Sequence, residues 1–119
     1  MAGTILIIED DASVRMLLAR VLEEAGYQVY EAANGRQGLE QFQAQPMDLV
    51  LTDLEMPEMN GLELIVELTR GFLNVKVIAM SGRSGDELQK AQLLGARQSF
   101  GKPLDLATLL HAVQYELQH

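Results

Sequence analysis

Short β-branched apolar runs alternate with amphipathic stretches five times along this chain, and that alternation constrains its fold more than any other feature. Thr4-Ile5-Leu6-Ile7-Ile8 is a continuous apolar run, the pattern of a strand covered on both faces. Val14, Leu17, Leu18, Val21, Leu22 and Ala25 then recur at helical spacing as one stripe. Asp11 or Ser13 caps that helix and Gly26 stops it. Gln28–Glu31 predicts a second strand, and Asn34-Gly35 a turn or cap. Arg36–Gln43 predicts a helix broken by Pro46. Met47–Thr52 predicts the third strand, and Leu62, Ile65, Val66 and Leu68 the third helix. Val75–Met80 is the fourth strand. Ser84-Gly85-Asp86-Glu87 has capping-box spacing ahead of a helix with Leu88, Ala91 and Leu94. Ser99–Gly101 is a short fifth strand, and Asp105 caps a last helix carrying Leu106, Leu109, Leu110, Val113 and Leu117. Strands alternating with helices imply right-handed βαβ units, hence an α/β fold with a parallel five-stranded sheet and helices on both faces.

Size and composition narrow the function. A chain of 119 residues fits a single domain over 1–119, and 48% hydrophobic residues suffice for its core. There is no cysteine, which excludes disulfides, a thiolate metal site and a Cys nucleophile, and fits a cytoplasmic location. Nine basic against 17 acidic residues leave a net charge of −8, which repels phosphate backbones and argues against nucleic-acid binding by this domain. The longest apolar run, Thr4–Ile8, is far short of a membrane span, and no signal pattern opens the chain.

The chemistry collects after the strands. Glu9-Asp10-Asp11 follows the first and Asp53 the third, so both clusters fall at the carboxyl edge, where open α/β sheets bind ligands. If those two strands are neighbours, Glu9, Asp10 and Asp53 converge. Packed carboxylates repel one another, and a hard cation such as Mg²⁺ relieves the repulsion. A single acidic run is usually a solvated face; two acidic sites, each directly after a buried strand, favour a functional site. Ser81 follows the fourth strand and Lys102 the fifth. Alone, the serine reads as a turn residue and the lysine as a surface charge. Beside a carboxylate–metal centre they suit a phosphoryl group, with Asp53 as its nucleophile.

These pieces in this order resemble the receiver domain of two-component response regulators, the CheY-like variant of the flavodoxin-like fold. The matching segments are Ile7–Asp11, Asp48–Asp53, Met56-Pro57 with Asn60-Gly61, Ala79-Met80-Ser81, Gly95-Ala96 and Lys102-Pro103. The resemblance covers essentially the whole chain. It implies a doubly wound (βα)5 sheet of strand order 2-1-3-4-5. It also implies that Asp53 is the phosphoacceptor, and that Asp10 and Asp53 bind Mg²⁺ directly. Glu9 would reach the cation through water and Glu55 through its backbone carbonyl. Ser81 and Lys102 would take phosphoryl oxygens, with a cis Lys102–Pro103 peptide. The implied partners are a sensor histidine kinase or histidine phosphotransfer protein upstream, and an output protein or fused effector domain downstream. Signalling would run through the surface of the fourth helix, fifth strand and fifth helix. No external metabolite substrate and no membrane partner are expected.

Some positions depart from the family's pattern. Ser99 stands where an aromatic residue usually couples to the hydroxyl switch, and Phe100, one place later, is expected to face the other side as core packing. Glu55 adds charge beside the site; pairing with Lys102 is one expectation, with Arg83 as an offset and Gly82 leaving an open approach. Asp11 reads as a cap, and neither His111 nor His119 receives a function.

Three rivals are weaker. Five residues separate Gly95 from Gly101 and Pro103 follows Lys102, which breaks the P-loop pattern. A haloacid-dehalogenase-type phosphatase needs an Asp two residues after the nucleophile, where Glu55 stands. A degenerate receiver, acting only as a phosphorylation-independent interaction module, sits poorly with an intact Glu9, Asp10, Asp53, Ser81 and Lys102 set.

Overall fold

The computed structural model describes residues 3–82 and 85–119. Ten elements alternate: β1 (Thr4–Ile8), α1 (Ala12–Glu24), β2 (Gln28–Ala32), α2 (Gly35–Ala44), β3 (Leu49–Asp53), α3 (Gly61–Gly71), β4 (Lys76–Ser81), α4 (Gly85–Leu94), β5 (Gln98–Gly101) and α5 (Leu106–Gln118). All strands pair in parallel in the order β2-β1-β3-β4-β5, as the resemblance implied. The (βα)5 class expected from the alternation is therefore the fold observed.

Side-chain alternation along the strands divides the core in two. Ile5, Ile7, Leu49, Leu51, Ile78 and Met80 pack on α1 and α5. Leu6, Ile8, Val50, Val77 and Ala79 pack on α2, α3 and α4. The central strands are thus buried on both faces, which is why their sequences are unbroken apolar runs.

Caps set where the helices begin. Asp11, rather than Ser13, caps α1, accepting from the Ser13 and Val14 amides at 2.9 and 3.3 Å. Asn34, Asn60 and Asp105 cap α2, α3 and α5 in the same way. The capping box expected at Ser84 lies outside the described residues. Gly26, at φ +100°, follows the α1 C-cap in a left-handed conformation that favours glycine. Several boundaries move by one or two residues. Asp53 closes β3 instead of following it, Ser81 closes β4, and Met47 lies outside β3 although buried. Among the described residues no helix is long and apolar enough to cross a membrane.

Candidate functional site

Four strand ends meet at the carboxyl edge. β1 lies between β2 and β3, with Ile8 opposite Thr52, so Glu9 emerges beside Asp53. Asp53 lies opposite Met80, and Ser81 opposite Gly101, which brings Ser81 and Lys102 in from the other side. Backbone bonds carry the ladder just past the strands: Glu9 N donates to Ala32 O at 3.1 Å, Leu54 N to Met80 O at 2.9 Å, and Lys102 N to Ser81 O at 2.8 Å. The edge that presents these side chains is therefore held by the sheet itself. Gly61 keeps the following loop tight: a Cβ there would stand 2.6 Å from both the Asp53 carbonyl oxygen and Leu54 Cα.

Glu9 and Asp53 are buried, 1% and 3% exposed, while Asp10 is exposed. One carboxylate oxygen from each of the three lies within 4.8 Å of the other two. The convergence expected of neighbouring first and third strands is therefore present. An all-oxygen set of this kind suits a hard divalent cation such as Mg²⁺ and offers no nitrogen or sulfur ligand for a softer one.

Lys102, through its Nζ, is the cation inside this cluster, donating to Glu9 Oε1 at 2.9 Å and Asp53 Oδ2 at 3.2 Å. The remaining oxygens find amides. Glu9 Oε2 accepts from Asp11 N at 3.2 Å, and Asp53 Oδ1 from Glu55 N at 3.1 Å. Burial pushes the Glu9 carboxyl from its ordinary 4.5 up to about 7, aided by the Asp53 charge, and the Lys102 and Asp11 hydrogen bonds only partly oppose it. Burial alone would lower the Lys102 ammonium, but its hydrogen bonds and charge attraction to Glu9 and Asp53 prevail and raise it. The lysine is thus held charged between two acids. The Lys102–Pro103 peptide is cis, as expected.

Glu55 departs from expectation. Its Oε1 accepts from the Ser81 hydroxyl at 3.0 Å and from the Gly82 amide, while Lys102 is turned to Glu9 and Asp53. The expected Glu55–Lys102 pair is therefore corrected: two buried acids lie nearer the ammonium and neutralise it better. Gly82, expected to leave an open approach, is exposed, and its amide faces the Glu55 carboxylate. Arg83, the expected offset to Glu55, lies outside the described residues.

Two contributors were not foreseen. Arg15 Nη1 donates to the Glu9 carbonyl at 2.8 Å while its Nε pairs with Glu31 at 3.3 Å, tying the turn after β1 to α1 and β2. Arg15 lies four residues after Asp11, one helical turn into α1, so its spacing put it beside the acidic turn. Asp11 N, donating to Glu9, makes the cap residue a support of the site as well. Phe100 is half-buried against the α1/α5 core, on the face predicted for it. Ser99 faces the other side, where Gln92 of α4 donates to its hydroxyl at 2.9 Å. His111 and His119 are exposed and take no part in this cluster.

The family model described as the response regulator receiver domain matches residues 5–114. The chain is 37% identical over 111 residues to sporulation initiation phosphotransferase F of Bacillus subtilis (strain 168), covering 92% of this chain and 90% of that one. It is 34% identical over 115 residues to the chemotaxis protein CheY of Thermotoga maritima, covering 95% of this chain and 96% of that one. Among solved structures it is similar to a CheY-like response regulator receiver domain protein from Methanospirillum hungatei JF-1. The TM-score is 0.93 at 28% identity, over 99% of this chain and 95% of the other.

Proposed function

The chain belongs to the response regulator receiver domain family of two-component signalling, and on that premise we propose that it is a phosphorylation-dependent switch whose phosphoacceptor is Asp53. One observation carries this reading. A buried carboxylate at a strand end has Lys102 on one oxygen and two further acids within reach of a shared cation.

The donor is a phosphohistidine on a sensor kinase or phosphotransfer protein. An Asp53 oxygen attacks its phosphorus; the O–P bond forms as the P–N bond breaks, and the imidazole leaves with a proton from solvent. Asp10 and Asp53 carboxylates, the Glu55 carbonyl and Glu9 through water would hold Mg²⁺, which when bound supplies charge neutralisation for the transferring group. Lys102 stays charged between Glu9 and Asp53 and is placed to pair with an incoming phosphoryl oxygen. Ser81 offers its hydroxyl to another. The domain promotes its own phosphorylation and dephosphorylation and acts on no external metabolite.

The output surface is α4–β5–α5, where Leu93 is 86% and Tyr115 54% exposed. With serine at position 99, the Gln92–Ser99 bond between α4 and β5 stands where an aromatic side chain would otherwise report on Ser81. A two-state shift at that face would control an output protein or attached effector, in the cytoplasm where the donor kinase works.

Intact-mass measurement with acetyl phosphate and Mg²⁺ tests the reading. Wild type gains one phosphoryl group, and Asp53→Asn or omission of Mg²⁺ abolishes the gain. Wild type without any gain would leave a phosphorylation-independent interaction module.

A further inference from the structure

Glu55 touches the phosphoacceptor with its backbone and the neighbouring strand with its side chain. Its amide donates to Asp53 Oδ1 at 3.1 Å. Its carboxylate oxygen Oε1 accepts from Ser81 Oγ at 3.0 Å and from the Gly82 amide. Ser81 directly follows Met80, the register partner of Asp53, so the hydroxyl donor ends the adjacent strand beside the acceptor and the Gly82 amide comes just after it. A Cβ at position 82 would stand 3.4 Å from that same oxygen, which places the carboxylate directly over the glycine.

A hydroxyl and a backbone amide converging on one point form an anion site, because both donate to the same oxygen. Charged acceptors make the stronger bonds of this kind. A phosphoryl oxygen on Asp53 and the Glu55 carboxylate are both anionic acceptors. They cannot share these donors without mutual repulsion.

We propose that Glu55 is a resident anion that occupies the Ser81 hydroxyl and the Gly82 amide in the unphosphorylated state, so that phosphorylation of Asp53 must displace it. This rests on the phosphoacceptor reading above and adds a threshold to it. Glu55 holds the hydroxyl toward itself until a phosphoryl group competes successfully, which slows capture from weak small-molecule donors. Lys102 and Glu9 lie outside the contact, so the threshold is separable from the cation cluster.

The full chain with Mg²⁺ and acetyl phosphate, followed by intact mass, provides the test together with the Gly82 amide resonance recorded without donor. Glu55→Ala removes the acceptor. Glu55→Asp keeps the charge but loses the reach, and Glu55→Gln keeps an acceptor oxygen without the charge. The expected result is phosphorylation about tenfold faster in Glu55→Ala and Glu55→Asp, with a smaller gain in Glu55→Gln. The Gly82 amide proton moves upfield in Glu55→Ala and Glu55→Asp as its carboxylate partner leaves. Equal rates with an unmoved Gly82 resonance would overturn the proposal while leaving Asp53 as acceptor. Glu55→Gln as fast as Glu55→Ala, with Glu55→Asp at the wild-type rate, would also overturn it, because charge alone would then be responsible. No uptake by wild type or any variant would instead overturn the phosphoacceptor reading on which it stands.

Discussion

The two ends of one sheet bury acids in opposite ways. At the amino edge Glu116 of α5 is 5% exposed, yet Gln98 Nε2 donates to its Oε2 at 2.9 Å and Arg97 Nη1 lies 3.7 Å from its Oε1. The Lys76 ammonium adds a bond to the Glu116 carbonyl. Nearby, Asp48 Oδ2 accepts from the Thr4 amide and hydroxyl at 2.8 and 3.1 Å. Each acid there has its own donors. At the carboxyl edge Glu9, Asp10 and Asp53 draw together, and among the described residues Lys102 is the side-chain cation paired with them, through Glu9 and Asp53. Burial of an acid therefore does not mark the site, since both edges have it. Among the described residues the excess of carboxylate over paired cation marks it, because unbalanced buried charge costs stability unless function requires it.

Removing the ammonium that pairs with Glu9 and Asp53 should break this contrast most strongly. Lys102→Met leaves Glu9 and Asp53 facing each other without a counter-charge. Metal-free stability should fall by about 3 kcal/mol in urea denaturation, and Mg²⁺ should restore part of it. A neutral result would mean that the ammonium is not the balancing charge.

The amino edge should respond less. Glu116→Ala strips the partner from the Gln98 amide and should cost about 1–3 kcal/mol in the same assay, while leaving intact the phosphoryl uptake proposed for Asp53. Impaired uptake would connect two edges that the geometry separates.

Titration sharpens the comparison further. Glu9 has its carboxyl raised from 4.5 to about 7 in the folded chain. Below pH 4.5 folded and unfolded chains both hold that proton. Between about 4.5 and 7 the folded chain keeps it and the unfolded chain releases it, so stability falls as pH rises through this window. Metal-free thermal melts across that range should show the decline. Cation binding needs the deprotonated form, so Mg²⁺ stabilisation should grow towards and above pH 7.

The fold was legible in the sequence to within a residue or two at most element ends, because buried parallel strands leave unbroken apolar runs such as Ile5–Ile8 and caps such as Asn60 leave polar signatures. The convergence of Glu9, Asp53, Ser81 and Lys102 was legible for a related reason: each stands at or directly after a strand end, and parallel strands end on one edge. The partners of those residues were not legible. Glu55 turned to Ser81 and Gly82 rather than Lys102, a choice decided by distances across β3, β4 and β5 that no linear spacing encodes. Glu116 was overlooked although it lies three residues after Val113 and seven after Leu109, on the apolar stripe of α5. A carboxylate on that stripe signals buried pairing, but its partners Arg97 and Gln98 come from β5.

The most direct measurement is the melting temperature of wild type and Asp10→Asn, each with EDTA and with Mg²⁺. If excess carboxylate defines the carboxyl edge, Asp10→Asn melts about 2–5 °C above wild type in EDTA, and Mg²⁺ raises wild type alone. A variant that melts lower in EDTA, or that Mg²⁺ stabilises as much as wild type, would contradict a cation site built from these three acids.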